Sequence, residues 1–219
     1  MKRKNLSFLT VLSAFVFLVA CGGGMTEEAA PAPDPMPAPE TTPETTPETA
    51  PAEQASSTPA MLGGGKAMEI HPGQGGSPHV KVDWMVNGAN VSITYGRPYL
   101  KGRVVGDSVP PMDNGVWRLG ADEATTLVTD KDMMIGGEHV PAGEYTLWAG
   151  HMGGEFHLIV NSETGQWGTA YNAEHDVHHI AMELGELSSP ADQLTLSVDD
   201  DSFSFEWGAM TASVPIMVH

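Results

Sequence analysis

The amino-acid sequence predicts an all-β protein: an antiparallel β-sandwich, or a partly open barrel, of about 8–10 short strands. Three observations predict this fold class. Apolar side chains recur at every second position in several runs, which is the period of a half-buried strand. Turn-forming residues separate these runs, and no segment keeps a helical apolar period over its length. We expect a signal peptide at residues 1–20, a disordered tether at 21–68 and the β-domain at 69–219.

The N-terminus of the chain resembles the export signal of a bacterial lipoprotein. Residues 2–4 are basic, and residues 6–20 form an uncharged, largely apolar run that is too short to span a membrane comfortably. Residues 18–21 (Leu-Val-Ala-Cys) are similar to a lipobox, the motif whose cysteine is lipidated and becomes the mature N-terminus. Cys21 is the single cysteine of the chain, so we expect lipidation there and no disulfide. The alternative is an ordinary cleaved signal with a chance cysteine.

Residues 21–68 are predicted to be a disordered tether. Nine prolines lie between Pro31 and Pro59, and the segment has no apolar periodicity with which to form a core. Such a segment acts as a spacer between the lipid and the domain. Gly22 follows the cysteine, which by analogy with lipoprotein sorting in bacteria with two membranes favours the outer membrane. We therefore expect a lipid-anchored protein of the bacterial cell envelope, at the periplasmic or the surface face of the outer membrane.

The charge of the chain excludes some partners. Lys and Arg number 10 against 28 Asp and Glu, which gives a net charge of −18. Affinity for nucleic acid comes largely from basic residues that displace counterions, so we expect no nucleic-acid partner. Anionic headgroups are disfavoured for the same reason, and the membrane is expected as a partner only through the covalent lipid. A solvated acidic surface is the simplest explanation of the charge, with cation binding as the alternative.

The strands of the domain are predicted in order along the chain. Alternating runs at residues 80–86 and 91–95 flank Asn87-Gly88, and this arrangement is the strongest hairpin signal that a short sequence offers. Further alternating runs follow at residues 145–149, 156–160, 194–198, 203–207 and 214–218. Clusters of glycine, proline or aspartate separate them, as turns require. Trp84 and Trp207 lie inside such runs, so we expect both in the core.

One long stretch, residues 96–124, interrupts this rhythm. A loop of this length inside a compact domain is usually functional or disordered. Its aromatic and arginine content favours an ordered loop, and it concentrates basic residues in a strongly acidic protein. We therefore expect the functional face of the domain here.

Several long motifs of the domain resemble those of a bacterial family known as domain of unknown function 2911. The motifs are residues 77–79 (Ser-Pro-His), 95–103 (Tyr-Gly-Arg-Pro-Tyr-Leu-Lys-Gly-Arg), 116–126 (Val-Trp-Arg-Leu-Gly-Ala-Asp-Glu-Ala-Thr-Thr), 140–147 (Val-Pro-Ala-Gly-Glu-Tyr-Thr-Leu) and 164–169 (Thr-Gly-Gln-Trp-Gly-Thr). The resemblance covers residues 77–218 and implies an exported bacterial domain. It implies no catalytic residues, because the family brings no established activity. Asp122 stands where members usually carry asparagine.

A candidate site for a ligand or for catalysis lies in and beside the long loop. Its residues are Arg97, Lys101, Arg103, Arg118, Asp122, Glu123 and His79. The planar guanidinium of arginine suits carboxylates and phosphates, and paired carboxyl groups can transfer protons. The structural alternative is that Arg97 or Arg118 pairs with Glu123 and pins the loop across the sheet.

Three functions remain open at this stage. The first, which we favour, is the binding of a small ligand or an envelope component at the face that holds this site. The second is a hydrolase in which Asp122 or Glu123 acts as acid and base while Arg97 and Arg118 hold an anionic substrate. The third is a purely structural envelope module. The sequence lacks the motifs of serine hydrolases, phosphate-binding loops and dinucleotide-binding domains, which weighs against an enzyme.

A candidate site for a divalent metal is formed by His175, Asp176, His178 and His179, since imidazole and carboxylate groups bind zinc and copper. Neighbouring residues of a strand point to opposite faces, so His178 and His179 cannot both reach one ion. We expect these histidines to be ordinary surface residues, with the metal site as the alternative. No other cofactor is expected.

Trp167 is a candidate aromatic platform. It is flanked by glycines and is the tryptophan that we most expect to be exposed, where its ring could stack on a sugar. Trp117 and Trp148 are weaker candidates, because burial with a hydrogen-bonded indole N–H is the commoner position for tryptophan.

Overall fold

The computed structural model describes residues 60–113 and 115–219. The signal peptide, Cys21 and the predicted tether up to residue 59 lie outside the described residues. The described part contains thirteen β-strands, two one-turn 3-10 helices and no α-helix. The predicted all-β class is confirmed, with more strands than the about 8–10 that the alternation indicates. No helix in this part of the chain has the length and apolarity needed to cross a membrane.

The strands, in chain order, are β1 (Ala60–Leu62), β2 (Gly65–His71), β3 (His79–Val86), β4 (Ala89–Gly96), β5 (Gly115–Trp117), β6 (Thr125–Thr129), β7 (Met133–Ile135), β8 (Glu138–Val140), β9 (Gly143–Met152), β10 (Glu155–Asn161), β11 (Asp176–Ala181), β12 (Glu183–Val198) and β13 (Ser202–Val218). The 3-10 helices are Gln74–Gly76 and Ala173–His175. Nine strands form an antiparallel sheet in the order β1-β2-β3-β4-β6-β9-β10-β11, with β5 paired to β9. The other four form a second sheet in the order β12-β13-β7-β8. Neither sheet closes into a barrel, and the architecture is the predicted antiparallel sandwich.

The core contains buried apolar residues of both sheets. One cluster includes Val82 and Ile93 from the nine-stranded sheet and Phe205 from the four-stranded sheet. Each occupies an inward position of its alternating run, so the burial follows the two-residue period of the strands. Trp84 and Trp207 are 6% and 1% exposed, which confirms their predicted position in the core.

The predicted hairpin is present between β3 and β4. Its turn residues Asn87 and Gly88 have φ values of 48° and 81°. Positive φ at both central residues is the signature of a type I′ turn, whose twist matches that of the flanking strands. The resulting register brings His79, the first residue of β3, opposite Gly96, the last residue of β4. The hairpin thereby fixes the position of one predicted site residue.

Two predicted runs, residues 203–207 and 214–218, belong to one long strand, β13. Odd-numbered residues are buried before Gly208 and even-numbered residues are buried in the run that follows it. Gly208 has a φ of +62°, and the pairing with β12 shifts register at this residue. The irregularity lets a single strand keep both apolar runs inward. From the sequence alone, Gly208 would be interpreted as part of a turn between two separate strands.

The first strand and the first four residues of the second, up to residue 68, lie in the segment for which the sequence predicts a tether. β1 and β2 form a hairpin over Gly63 and Gly64, whose φ values are 53° and 82°. The hairpin packs closely on β12, since a Cβ on Gly63 would lie 2.0 Å from the carbonyl oxygen of Leu196. The indole N–H of Trp84 also donates to the carbonyl oxygen of Gly63 at 2.7 Å. Apolar alternation does not reveal β2, because most of its side chains are exposed.

The long loop between β4 and β6 is tied to both sheets. The N–H of Leu100 donates to the carbonyl oxygen of Asp192 at 2.7 Å, and the indole N–H of Trp207 donates to that of Pro110 at 3.0 Å. Three residues of the loop form β5, which pairs with β9. The loop thus follows a defined path over the sandwich, as its aromatic and arginine content predicts.

Candidate functional site

Two histidines meet at one end of the nine-stranded sheet. His71 is the last residue of β2 and His79 is the first of β3, and they are register partners in this antiparallel pair. Cross-strand partners leave the sheet on the same face, and the two imidazole rings stack with centroids 4.7 Å apart and planes inclined by 10°. His79 is 4% exposed, whereas His71 is half-buried.

Glu123 reaches this histidine pair from the loop that leads into β6. Asp122 has a φ of 62°, an uncommon backbone conformation that redirects the chain immediately before Glu123. The loop passes so close to Gly96 that a Cβ there would lie 2.2 Å from a backbone oxygen, an approach that glycine permits. As a result, Oε2 of Glu123 lies 3.2 Å from Nδ1 of His79, and Oε1 lies 3.5 Å from Nε2 of His71. We call these three residues the histidine–glutamate cluster.

Two atoms of the cluster are buried without a hydrogen bond. They are Nδ1 of His79 and Oε2 of Glu123. Their separation of 3.2 Å is short enough for a hydrogen bond. None forms, because the ring N–H does not point at the carboxylate oxygen. Burial lowers the pKa of His79, the carboxylate of Glu123 offsets this only in part, and His71 lowers it further.

The loop between β2 and β3 is held by two other predicted site residues. Oδ2 of Asp122 accepts a hydrogen bond from the N–H of Gln74 at 2.7 Å, and Nζ of Lys101 donates to a backbone carbonyl of the same loop at 2.9 Å. Within the loop, the N–H of Gly73 donates to Nδ1 of His71 at 3.1 Å. Asp122 and Lys101 thus position the segment that follows His71.

Residues 166–168 run antiparallel beside the segment that carries Glu123. The N–H of Gly168 donates to the carbonyl oxygen of Asp122 at 3.0 Å, and Trp167 pairs with Glu123 in an isolated β-bridge. Bridge partners leave on the same face, so the side chains of Trp167 and Glu123 lie on one face of this pairing. Trp167 is 42% exposed, more than any other tryptophan of the chain.

Arg118 lies beside this segment in a separate open pocket, which we call the Arg118 pocket. The arginine covers Gly168, where a Cβ would lie 2.0 Å from Cδ of Arg118. The pocket has a volume of about 340 Å³. Its wall is formed mainly by Met112, Val116, Trp148, Thr169 and Tyr171. The wall is therefore largely apolar and aromatic, with the guanidinium as its charged group.

The guanidinium of Arg118 has no partner among the described residues. Its Nε is buried without a hydrogen bond, and no ion pair of the described chain includes it. Burial lowers the pKa of Arg118, while the carboxylate of Asp122 raises it. The side chain stays charged, because arginine is not deprotonated in proteins. A half-buried cation with free donors is suited to an anion.

The other two predicted arginines are engaged with the backbone. Nε of Arg97 donates to the carbonyl oxygen of Leu194 at 3.0 Å, and its Nη2 donates to Oγ1 of Thr195 at 3.2 Å. Arg103 donates to two carbonyl oxygens of its own turn, at 2.9 and 2.7 Å. In residues 60–113 and 115–219, no ion pair joins Glu123 to an arginine. The structure thus separates the predicted constellation into a cluster, a pocket and two structural arginines.

The second predicted cluster does not converge on one point. Nε2 of His179 lies 2.8 Å from Oδ2 of Asp176, whereas Nδ1 of His178 lies 3.2 Å from a carboxylate oxygen of Glu138. His175 is exposed in the preceding 3-10 helix. Over the described ranges, the histidine–glutamate cluster is the one group of three His, Cys, Asp or Glu residues whose donor atoms all lie within 4.8 Å of one another.

His71 is the site residue that the sequence does not single out. It lies in a strand whose side chains are mostly exposed, so no apolar pattern places it opposite His79. A signal is nonetheless present: residues 71–79 begin and end with histidine and contain prolines and glycines between them, as expected of a strand–loop–strand connection.

Comparison with known proteins identifies a family and nothing more specific. A family described as a protein of unknown function (DUF2911) matches residues 77–216. The match includes His79, Arg118 and Glu123 and begins after His71. No curated protein and no solved structure matches the chain.

Proposed function

Since the chain belongs to the DUF2911 family, whose description gives no activity, we propose its function from the site: a lipid-anchored domain of the bacterial cell envelope that binds a small anionic ligand in the Arg118 pocket. The observation that carries this proposal is the half-buried, unpartnered guanidinium of Arg118. The lipobox-like residues 18–21 and the proline-rich segment after them supply the proposed anchor and spacer.

The unpartnered guanidinium favours an anion as the ligand. A buried donor without an acceptor costs free energy, and arginine offers five donors in a planar fork. Carboxylates and phosphates fit that fork with two parallel hydrogen bonds. In this proposal a ligand carboxylate accepts hydrogen bonds from the guanidinium, for which no described residue supplies an acceptor.

The wall of the pocket and the charge of the chain narrow the ligand class. Trp148 and Tyr171 offer an apolar, aromatic surface next to the guanidinium. A volume of about 340 Å³ is at the lower end of the range for small-molecule sites. The net charge of −18 repels polyanions at long range. These features favour a small monocarboxylate with an apolar or aromatic part over phosphate or a sugar phosphate.

A hydrolase is the second candidate, and one observation favours it. Glu123 is in contact with the ring of His79, so a carboxylate and an imidazole, both able to transfer protons, share one site. Arg97 has no role in this alternative, since its guanidinium is bound to β12. A hydrolase would also require turnover of the bound anion, which the binding proposal does not.

The test compares two arginines of the same loop in the full-length protein, purified in a non-ionic detergent. Arg118→Met keeps an aliphatic side chain of similar reach and removes the charged fork, whereas Arg103→Met removes an exposed guanidinium that serves only its own turn. Aromatic and aliphatic monocarboxylates, phosphate and sulfate are titrated by calorimetry, and esters and amides that carry a free carboxylate are incubated with the protein to detect hydrolysis.

We expect saturable binding of at least one aromatic carboxylate to the wild type and to Arg103→Met. Arg118→Met should weaken this binding by at least about tenfold, the loss of one charge-assisted hydrogen-bonded pair. If the panel shows no saturable binding, or if Arg118→Met binds as the wild type does, the proposal is wrong. Conversion of an ester or amide by the wild type but not by Glu123→Gln would favour the hydrolase.

A further inference from the structure

We propose that His71, His79 and Glu123 bind a divalent transition-metal ion of the zinc class, at a site distinct from the Arg118 pocket. His71 and His79 come from two consecutive strands and Glu123 from a loop more than forty residues later, and the fold brings their donor atoms within 4.8 Å of one another. The proposal does not depend on the anionic ligand, because none of these side chains lines that pocket.

The donor set selects the class of ion. Two imidazoles and one carboxylate are ligands for zinc and for neighbouring divalent metals such as cobalt and nickel. Calcium and magnesium require oxygen ligands throughout, so this set disfavours them. Three protein ligands leave at least one coordination position for water or a small molecule, as in exchangeable or catalytic zinc sites.

The spacing of the donor atoms suits a shared ion. Two ligands that each lie about 2.1 Å from a metal, at an angle between octahedral and tetrahedral, are about 3.0–3.4 Å apart. Nδ1 of His79 and Oε2 of Glu123 are 3.2 Å apart, and Nε2 of His71 and Oε1 of Glu123 are 3.5 Å apart. The carboxylate of Glu123 is therefore near ligand spacing from both imidazoles, and the stacked ring of His71 has to turn out of its parallel orientation to direct Nε2 at the same ion.

A second, independent observation concerns the buried atoms of the site. Nδ1 of His79 and Oε2 of Glu123 are both buried, and neither has a hydrogen-bond partner. His79 is 4% exposed, so water does not readily satisfy its ring nitrogen. The two atoms are close to each other yet not hydrogen-bonded, and an ion bound between them would satisfy both.

His71 is the ligand that must change most when an ion binds. Its Nδ1 accepts a hydrogen bond from the N–H of Gly73, so the neutral ring carries its proton on Nε2. To bind an ion through Nε2, the ring has to hold its proton on Nδ1 instead, and Gly73 then loses its acceptor. Metal binding is therefore expected to loosen the Gly73–Gly76 turn while it fixes the histidine rings.

The test uses the full-length protein, purified in detergent without a histidine tag and stripped with a chelator. Zn²⁺ is titrated by calorimetry, and Co²⁺ is followed by its visible absorption, which reports the ligand geometry. Glu123→Gln is the main variant, because it preserves the shape of a partly exposed side chain. His179→Ala is the matched control, since it removes a histidine that also contacts a carboxylate but lies outside the cluster.

The wild type and His179→Ala should bind about one Zn²⁺ per chain, and Glu123→Gln should bind it at least about 100-fold more weakly. Amide hydrogen exchange at Gly73 should become faster when the ion is bound. Circular dichroism of each variant establishes that it is folded. No saturable binding would mean that the cluster is only an ion pair, and the proposal would be wrong. Equal loss of affinity in His179→Ala and Glu123→Gln would also overturn it.

Discussion

Nδ1 of His79 and Oε2 of Glu123 lie 3.2 Å apart, both buried, and no hydrogen bond joins them. The first residue of β3 and a loop residue more than forty positions later are held together by the β3–β4 hairpin and by the close passage of the loop at Gly96. In the proposal above, the metal ion is the group that satisfies both atoms.

The first prediction concerns the stability of the Arg118 pocket without ligand. Arg118→Met should leave the free energy of unfolding unchanged or raise it by up to about 1 kcal/mol, because it removes a buried donor that has no acceptor. Urea denaturation followed by tryptophan fluorescence measures this. Destabilisation by more than about 2 kcal/mol would mean that the guanidinium has a structural role instead.

Arg97→Met, the matched substitution in the same loop, should have the opposite effect on stability. Arg97→Met removes hydrogen bonds to Leu194 and Thr195, which tie the end of β4 to β12, and should cost about 1–3 kcal/mol of stability. Its effect on the binding of carboxylates should be negligible when measured at a temperature where the variant is folded. A strong loss of binding in this variant would place Arg97 in the ligand site.

Tyr95 links the two sheets through one buried hydrogen bond. Its hydroxyl oxygen accepts the N–H of Leu196 at 3.1 Å. Tyr95→Phe should lower the free energy of unfolding by about 1–3 kcal/mol, because it leaves that N–H buried without an acceptor. Tyr145→Phe is the control, since its hydroxyl donates to an exposed carbonyl and should change stability by less than about 1 kcal/mol. Equal effects of the two substitutions would contradict this account.

Tyr95 also predicts how stability depends on alkaline pH. Burial raises its pKa in the folded state above the ordinary tyrosine value. The unfolded chain therefore loses this proton first, at about pH 10, and the free energy of unfolding falls as the pH rises from there toward the folded-state pKa. Below about pH 9 the group contributes no pH dependence. Between pH 8 and 11, the free energy of unfolding measured by denaturation should fall more steeply with pH for the wild type than for Tyr95→Phe. The same slope for both proteins would contradict this prediction.

The membrane anchor is tested by the mass of the mature protein. Wild-type protein extracted from membranes should begin at Cys21 and carry the added mass of its acyl groups. Cys21→Ser should lack this mass and should leave the membrane fraction when the cells are broken. An unmodified thiol at Cys21 in the wild type would contradict the proposed anchor, and it would leave the predictions for the β-domain untouched.

The sequence predicts well what depends on neighbouring residues. Asn87-Gly88 between two alternating runs specifies the hairpin, and the period of two places Trp84 and Trp207 inside. Relationships across the sheet are harder to predict. His71 meets His79 only because β2 pairs with β3, and β2 has too few apolar side chains to be recognised from the sequence.

In the candidate site, too, features set by neighbouring residues are predictable from the sequence, and relationships across the sheet are not. The long loop with its basic residues draws attention to the segment that carries Arg118 and Glu123, but the partners of single side chains depend on strand order. Arg97 and Arg118 look equivalent in the sequence, yet one lies against β12 and the other lines a pocket. Residue type alone does not distinguish a structural arginine from a ligand-binding one.

Anomalous X-ray diffraction at the zinc absorption edge tests the central claim most directly, on crystals of the full-length protein soaked in Zn²⁺. We predict one strong anomalous peak about 2.1 Å from Nδ1 of His79 and from a carboxylate oxygen of Glu123, with Nε2 of His71 turned toward it. No peak at this position, with a straight hydrogen bond from His79 to Glu123 in its place, would contradict the account.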